Sequence, residues 1–134
     1  MGDTRTETPA TTTRVHHHEG IVVVEVVGEI DMACESPVGT VLAAQLDQRP
    51  AGLVVDLTGI DFFGSAGIQL LVEAIERAKL RGVTLAVATD RRAVLRPLEI
   101  TLVREVLDVH PTLADAIAAV RADDLPRERR VAHQ

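Results

Sequence analysis

Apolar residues in the central part of the chain fall alternately into continuous runs and into helix-like spacings. Runs rich in Val, Ile and Leu at 21–27, 53–57 and 85–88 predict largely buried strands, and a shorter one is expected near 106–109. Between them, apolar residues recur every three or four positions, which is typical of helices with one buried face. Strands that alternate with helices predict an α/β domain with a mostly parallel sheet.

Turn and capping residues predict where several elements begin and end. Glu19-Gly20 predicts a hairpin that joins a strand at 14–18 to the strand that follows it. Ser36-Pro37 has the residue types of an N-cap and a first helical position. Thr112, three residues before Asp115, resembles a capping box at the start of the last helix.

The longest predicted helix follows a Gly-Ser-Ala-Gly turn at 64–67 and ends at Gly82. A shorter helix is expected to be capped by Asp90 and to end or kink at Pro97. The apolar face predicted for the longest helix consists of Ile68, Leu71, Val72, Ile75 and Ala78.

The chain is expected to form one domain between two flexible tails. Residues 1–13 and 122–134 are polar and lack periodicity, and residues 14–121 carry the alternating pattern. The predicted fold is a single α/β domain with a mostly parallel mixed sheet of four to five strands and about four helices.

Composition excludes several classes of function. The net charge of the 134 residues is −6, which argues against nucleic-acid binding, and the two aromatic residues, Phe62 and Phe63, are too few for stacking platforms. A single cysteine, Cys34, cannot form an internal disulfide. No apolar stretch approaches the roughly 18 residues of a membrane span, so no membrane insertion and a cytoplasmic location are expected.

The turn at 64–67 carries the most distinctive candidate chemistry. A nucleophile elbow would need Gly two residues before Ser65, where Phe63 stands, and a phosphate-binding P-loop would need a Lys. An anion held by the backbone at this helix start, or a plain capping role for Ser65, both remain open. No cofactor is expected, and no metal either, because the adjacent residues His16, His17 and His18 alternate faces on a strand.

The segment at 53–71 resembles the central signature of STAS domains, the sulfate-transporter and anti-sigma-factor-antagonist family. In that signature an apolar strand ends in Asp-Leu, and an apolar pair precedes a helix that opens with Ser and Gly. The segment at 26–31, Val-Val-Gly-Glu-Ile-Asp, is similar to the family's Gly-Glu-Leu-Asp element. The resemblance continues in the same order over residues 15–120.

The resemblance implies an anti-sigma factor antagonist, which is not expected to catalyse a reaction. Such a protein binds an anti-sigma factor, usually a serine kinase of the GHKL type, and thereby frees a sigma factor. The kinase would phosphorylate Ser65, and a serine phosphatase would restore its hydroxyl group. Gly64 stands where the family has Asp, and Ala66 stands where it has a second Ser or Thr.

The partner-binding surface implied by the resemblance lies in two segments and on the exposed face of the helix that starts at the second. It comprises Gly28, Glu29, Asp31, Phe63, Gly64, Ser65, Ala66 and Gly67. The alternative interpretation is a STAS subunit of a transporter or a stressosome-like assembly, in which Ser65 is not phosphorylated and acts as a helix cap.

Overall fold

A computed structural model describes residues 4–8 and 11–123, with side chains described for 11–31 and 37–122. These residues form six strands, four α-helices and one 3-10 helix. In chain order they are β1 (Thr4–Thr8), β2 (Thr11–His18), β3 (Ile21–Ile30), α1 (Met32–Asp47), β4 (Gly52–Phe63), α2 (Ser65–Arg81), β5 (Thr84–Ala88), α3 (Arg92–Ile100), the 3-10 helix (Val103–Val106), β6 (Asp108–His110) and α4 (Leu113–Asp123).

The strands form one mixed sheet in the order β1-β2-β3-β4-β5-β6. The first three strands are antiparallel neighbours, and the pairs from β3 to β6 are parallel. The predicted α/β class, the mostly parallel mixed sheet, the four helices and the hairpin at Glu19-Gly20 are confirmed. The described sheet has six strands, however, where four to five were expected.

The additional strand lies in the segment predicted as an N-terminal flexible tail. Residues 4–8 pair with β2, which itself begins at Thr11, so the tail prediction is wrong for these residues. Threonine favours strands, and the Thr11 hydroxyl donates a hydrogen bond of 2.6 Å to the Glu29 carbonyl oxygen. At the other end α4 reaches Asp123, and the rest of the predicted tail at 122–134 lies outside the described residues.

Two prolines that were expected near helix termini lie inside helices: Pro37 was expected at the start of its helix, and Pro97 at the end of its helix or at a kink. α1 begins before the predicted N-cap Ser36 and includes Pro37, and α3 continues through Pro97. The N-cap of α3 is Arg91 rather than the expected Asp90. Each proline removes one backbone hydrogen bond, but Leu98 beyond the second proline is fully buried. In α3, packing of the turn that follows Pro97 therefore outweighs the cost of the lost backbone hydrogen bond.

β4 continues past the predicted strand end at Leu57 as far as Phe63. An irregularity in its pairing with β3 follows Asp56, whose buried carboxylate accepts hydrogen bonds from the Thr58 amide at 3.0 Å and from the Thr58 hydroxyl at 2.7 Å. β3 likewise continues to Ile30. These extensions carry both strands to the edge of the sheet where the predicted site lies.

Helices cover both faces of the sheet. α1, α2 and α3 contribute to the larger core with Val22, Val24 and Val26 of β3. Side chains that alternate with these, Ile21 and Val23, lie in a second core with α4. Packing between the sheet and α2 therefore holds the turn at 64–67 in a fixed position.

Asp47, at the end of α1, joins this helix to α2. Its carboxylate accepts hydrogen bonds from Arg77 at 2.8 and 2.9 Å and from Arg81 at 2.9 Å. The hydrogen bonds from Arg77 and then Arg81 hold the pKa of the Asp47 carboxyl well below its usual range. The stability that this difference contributes is present above the unfolded pKa of about 3.9 and is lost as the pH falls towards the native pKa.

We expect Asp47→Asn to be less stable than the wild type at neutral pH and to lose less stability on acidification. Urea unfolding followed by circular dichroism at a series of pH values between about 6 and 2 measures both effects. Asp90→Asn is a suitable control because Asp90 is exposed and forms none of the ion pairs found in the described part of the chain. Parallel acid curves for the Asp47 variant and the wild type would contradict the expectation.

Candidate functional site

The two predicted site segments meet at the carboxyl ends of β3 and β4. Glu29 pairs with Phe62 in the parallel register, and Ile30 pairs with Phe63. The Gly64 amide donates a hydrogen bond of 3.1 Å to the Ile30 carbonyl oxygen. The structure therefore brings the segment at 28–31 against the turn at 64–67, although more than thirty residues separate them in sequence.

The start of α2 differs from the interpretation in which Ser65 is a helix cap. Gly64 is the N-cap, in an extended conformation, and no side chain forms a capping hydrogen bond there. Ser65 is the first helical residue and is exposed. Its hydroxyl group therefore lies at the positive end of a 17-residue helix. The alternative interpretation in which the Ser65 side chain caps α2 is therefore wrong.

The neighbouring phenylalanines have opposite environments. Phe63, which was predicted to contact a partner, is 4% exposed, and Phe62, which was left out of the predicted surface, is 52% exposed. A Cβ atom built on Gly67 would lie 2.6 Å from the Phe63 ring, so this ring packs directly on the first turn of α2. The aromatic surface available to a partner is therefore that of Phe62. Simple alternation of faces along β4 does not identify it, because the consecutive residues Asp61 and Phe62 are both exposed.

The remaining predicted site residues divide by exposure. Glu29 and Ser65 are exposed, and Gly28, Asp31 and Gly64 are half-buried. Ala66 and Gly67 are buried and support the turn from the interior of the domain. The sequence-based list therefore combines residues that a partner can reach with residues that support them.

The face of α2 that packs on the sheet is rotated relative to the predicted one. Its buried residues are Ala66, Gly67, Leu70, Leu71, Ala74 and Ala78. Ile68, Val72 and Ile75, which were expected to be inward, are only half-buried. Ile68 and Ile75 still contact the larger core, and Ile68 and Val72 also line a groove.

This groove, of about 930 Å³, lies between α2 and α3 and begins at Gly64 and Ser65. We call it the α2–α3 groove. Its apolar lining is Phe63, Ile68, Val72, Ala93, Pro97 and Ile100. Its charged lining is Glu73 and Glu76 on α2 and Arg92 and Arg96 on α3. The contribution of α3 is absent from the sequence-based site.

Other candidate sites contribute less. No group of three His, Cys, Asp or Glu side chains in the described parts of the chain is arranged to hold a metal ion. His16 instead lies 3.5 Å from Glu25 on the adjacent strand, and the Cys34 side chain is outside the described residues. Among the helices of the described residues, none is both long and apolar enough to cross a membrane.

Known proteins are similar to this chain in both sequence and fold. It is 36% identical over 107 residues to the anti-sigma-F factor antagonist RsfA of Mycobacterium tuberculosis, covering 78% of this chain and 84% of RsfA. RsfB of the same species, also an anti-sigma-F factor antagonist, is 30% identical over 120 residues, which cover 87% of this chain and 94% of RsfB.

The crystal structure of an anti-sigma factor antagonist from Mycobacterium paratuberculosis superposes with a TM-score of 0.79 at 33% identity. The similarity covers 87% of this chain and 99% of that protein. The STAS domain family model matches residues 12–116. The family resemblance inferred from the sequence motifs is thus confirmed, and the chain belongs to the STAS domain family.

Proposed function

We propose that this chain is an anti-sigma factor antagonist, which binds an anti-sigma factor and thereby releases a sigma factor. The observation that supports this most strongly is the convergence of the segment at 28–31 with Ser65 at the exposed start of α2. Its relatives RsfA and RsfB are named for the same activity against an anti-sigma-F factor.

The chemistry of the surface suits a protein partner. Phe62 offers an exposed aromatic ring, and such rings are enriched in the cores of protein interfaces. Residues 21–120 contain 8 basic and 14 acidic side chains, so a partner surface with basic residues would be complementary. The proposed activity is binding, and Ser65 serves as the phosphate acceptor of a partner kinase rather than as a nucleophile of this chain.

Phosphorylation of Ser65 would regulate the proposed complex. A kinase partner would transfer the γ-phosphoryl group of ATP to the Ser65 oxygen, which loses its proton as ADP leaves. The phosphate adds a charge of roughly −1.5 to −2. Within this chain the start of α2 accommodates that charge, whereas burying it in an interface opposes binding because the phosphate must be desolvated. A serine phosphatase would return the protein to its binding form by hydrolysis.

The proposal is tested by displacement of a sigma factor. Each anti-sigma factor encoded in the same genome is purified in complex with a labelled sigma factor, and the chain is added at increasing concentration. We expect fluorescence anisotropy to show stoichiometric release of the sigma factor from at least one of these complexes.

Two exposed apolar side chains provide a matched pair of variants for this assay. Phe62→Asp, at the proposed surface, should abolish release, whereas Val106→Asp, on a side chain that is 67% exposed in the 3-10 helix, should not. Failure of the wild-type chain to displace a sigma factor from every complex would refute the proposed function.

A further inference from the structure

The α2–α3 groove has the length of about three turns of helix. Its lining runs from Ser65 to Glu76 along α2 and from Arg92 to Thr101 along α3. At 1.5 Å per residue these stretches span about 17 and 14 Å. A partner helix of about three turns would therefore match the lined stretch of either helix in length.

The floor of the groove leaves apolar surface exposed to solvent. Ile100 is 70% exposed, and Ile68 and Val72 are half-buried although they belong to an otherwise well-packed helix. A continuous apolar surface rimmed by polar residues commonly marks an interaction site. The half-burial of these side chains would become full burial under an apolar stripe of a partner helix.

The two walls of the groove carry opposite charges that are not neutralised within the described residues. Arg92 and Arg96 form none of the ion pairs found there, whereas the adjacent Arg91 is bound to Asp61 at 2.7 Å. On the other wall, Glu73 accepts a hydrogen bond of 3.3 Å from Gln69 and forms no ion pair in that set. These charges are therefore available to a ligand of complementary charge.

We propose that the α2–α3 groove binds an amphipathic helix of the anti-sigma factor. The helix would place its apolar stripe on Ile68, Val72 and Ile100, a basic flank along α2 and an acidic flank along α3. The inference rests on the proposed function, because it identifies which part of the partner this surface recognises. The groove begins at Ser65, so the helix and the phosphorylation site would belong to one interface.

The opposite charges of the walls determine the direction of the bound helix. Turning the helix end to end would bring its acidic flank to the glutamates of α2 and its basic flank to the arginines of α3. Like charges placed together in an interface oppose binding, so one direction is selected.

The sharpest test exchanges the charges of the two walls. A variant with Glu73→Arg, Glu76→Arg, Arg92→Glu and Arg96→Glu keeps the net charge and the apolar floor but reverses the field across the groove. We expect its Kd for the anti-sigma factor to rise by at least about tenfold. The control Arg49→Glu/Glu105→Lys also keeps the net charge, at exposed positions outside the groove and outside α2, and should bind as the wild type does.

A second pair of variants tests the apolar floor without changing the walls. Ile100→Asp should weaken binding by at least about tenfold, whereas Val106→Asp should leave it unchanged. Both side chains are largely exposed, at 70% and 67%, so neither variant is expected to unfold the domain. Circular dichroism tests whether each variant is folded. If the exchanged-wall variant does not fold, the Ile100 variant and its control test the inference without it.

The outcomes separate the inference from the proposed function. If the wild type displaces a sigma factor and the exchanged-wall and Ile100 variants do so equally well, the groove is not the docking site and the proposed function stands. If the wild type binds none of the anti-sigma factors, the proposed function fails and the inference fails with it. Loss of binding in the groove variants alone supports the inference.

Discussion

Ser65→Asp is expected to weaken binding to the anti-sigma factor by about a hundredfold, whereas Ser65→Ala should bind as the wild type does. Ser65 is exposed beside the segment at 28–31, so a carboxylate there would be buried unpaired against the partner. An unpaired buried charge at an interface costs about 3 kcal/mol, which corresponds to about a hundredfold in Kd. Calorimetric titration of both variants measures the difference.

The stability of Ser65→Asp should change in the opposite direction. A carboxylate in the first turn of a helix interacts favourably with the helix dipole, by about 0.3–1 kcal/mol. The variant is therefore expected to unfold at the same temperature as the wild type or a higher one, which separates weak binding from misfolding. Ala122→Asp adds the same charge at an exposed position of α4, on the other face of the sheet, and should bind normally. Equal affinity of the two Ser65 variants would show that this hydroxyl lies outside the interface.

The fold could be predicted where local signals and packing agree. The hairpin needed a tight turn, and Glu19 and Gly20 both adopt the left-handed conformation there. Gly82 likewise ends α2 in that conformation, and the Thr112 hydroxyl accepts a hydrogen bond from the Asp115 amide as a capping box requires. Each of these features depends on a few residues adjacent in sequence, so the sequence contains enough information to predict it.

Element boundaries could not be predicted where distant contacts oppose the local signal. Pro97 favours a helix end, but burial of Leu98 beyond it keeps α3 continuous. The threonines of the predicted N-terminal tail have no apolar pattern, yet Thr11 and Thr13 are buried in the sheet. Such outcomes depend on which neighbour covers a segment, and no local pattern specifies that neighbour.

The candidate site shows the same division. Its two segments could be identified from the family motifs, and their placement at the ends of parallel strands followed from the fold class. The exposure of individual residues could not be predicted. Phe63 was expected to contact a partner, but the exposed ring is that of Phe62, because an irregularity in β4 determines which ring faces outwards. The α2–α3 groove could not be predicted either, because it depends on which face of α2 packs on the sheet and on how α3 packs beside α2.

Gly67→Ala is expected to destabilise the domain by about 1–2 kcal/mol. The new Cβ atom would lie 2.6–2.8 Å from three atoms of the Phe63 ring, which is itself 4% exposed and cannot turn into solvent. Overpacking of this kind costs about 1–3 kcal/mol, and the better helix propensity of alanine offsets less than about 1 kcal/mol. Urea unfolding measures the change in the free energy of unfolding.

Two further variants attribute this cost to the Phe63 ring. In Gly64→Ala the Cβ atom would lie 3.2 Å from the ring of Phe62, which is half exposed and can turn aside, so the stability should fall by no more than the roughly 0.5–1 kcal/mol that alanine costs at an N-cap. Phe63→Leu provides room for the methyl group at position 67, so the double variant should be more stable than the sum of the single changes indicates. Strict additivity would mean that the backbone of α2 yields instead of the ring. Because Phe63 lines the α2–α3 groove, a coupling between positions 63 and 67 in stability should also appear in partner binding, which the same double-variant cycle measures as a change in Kd.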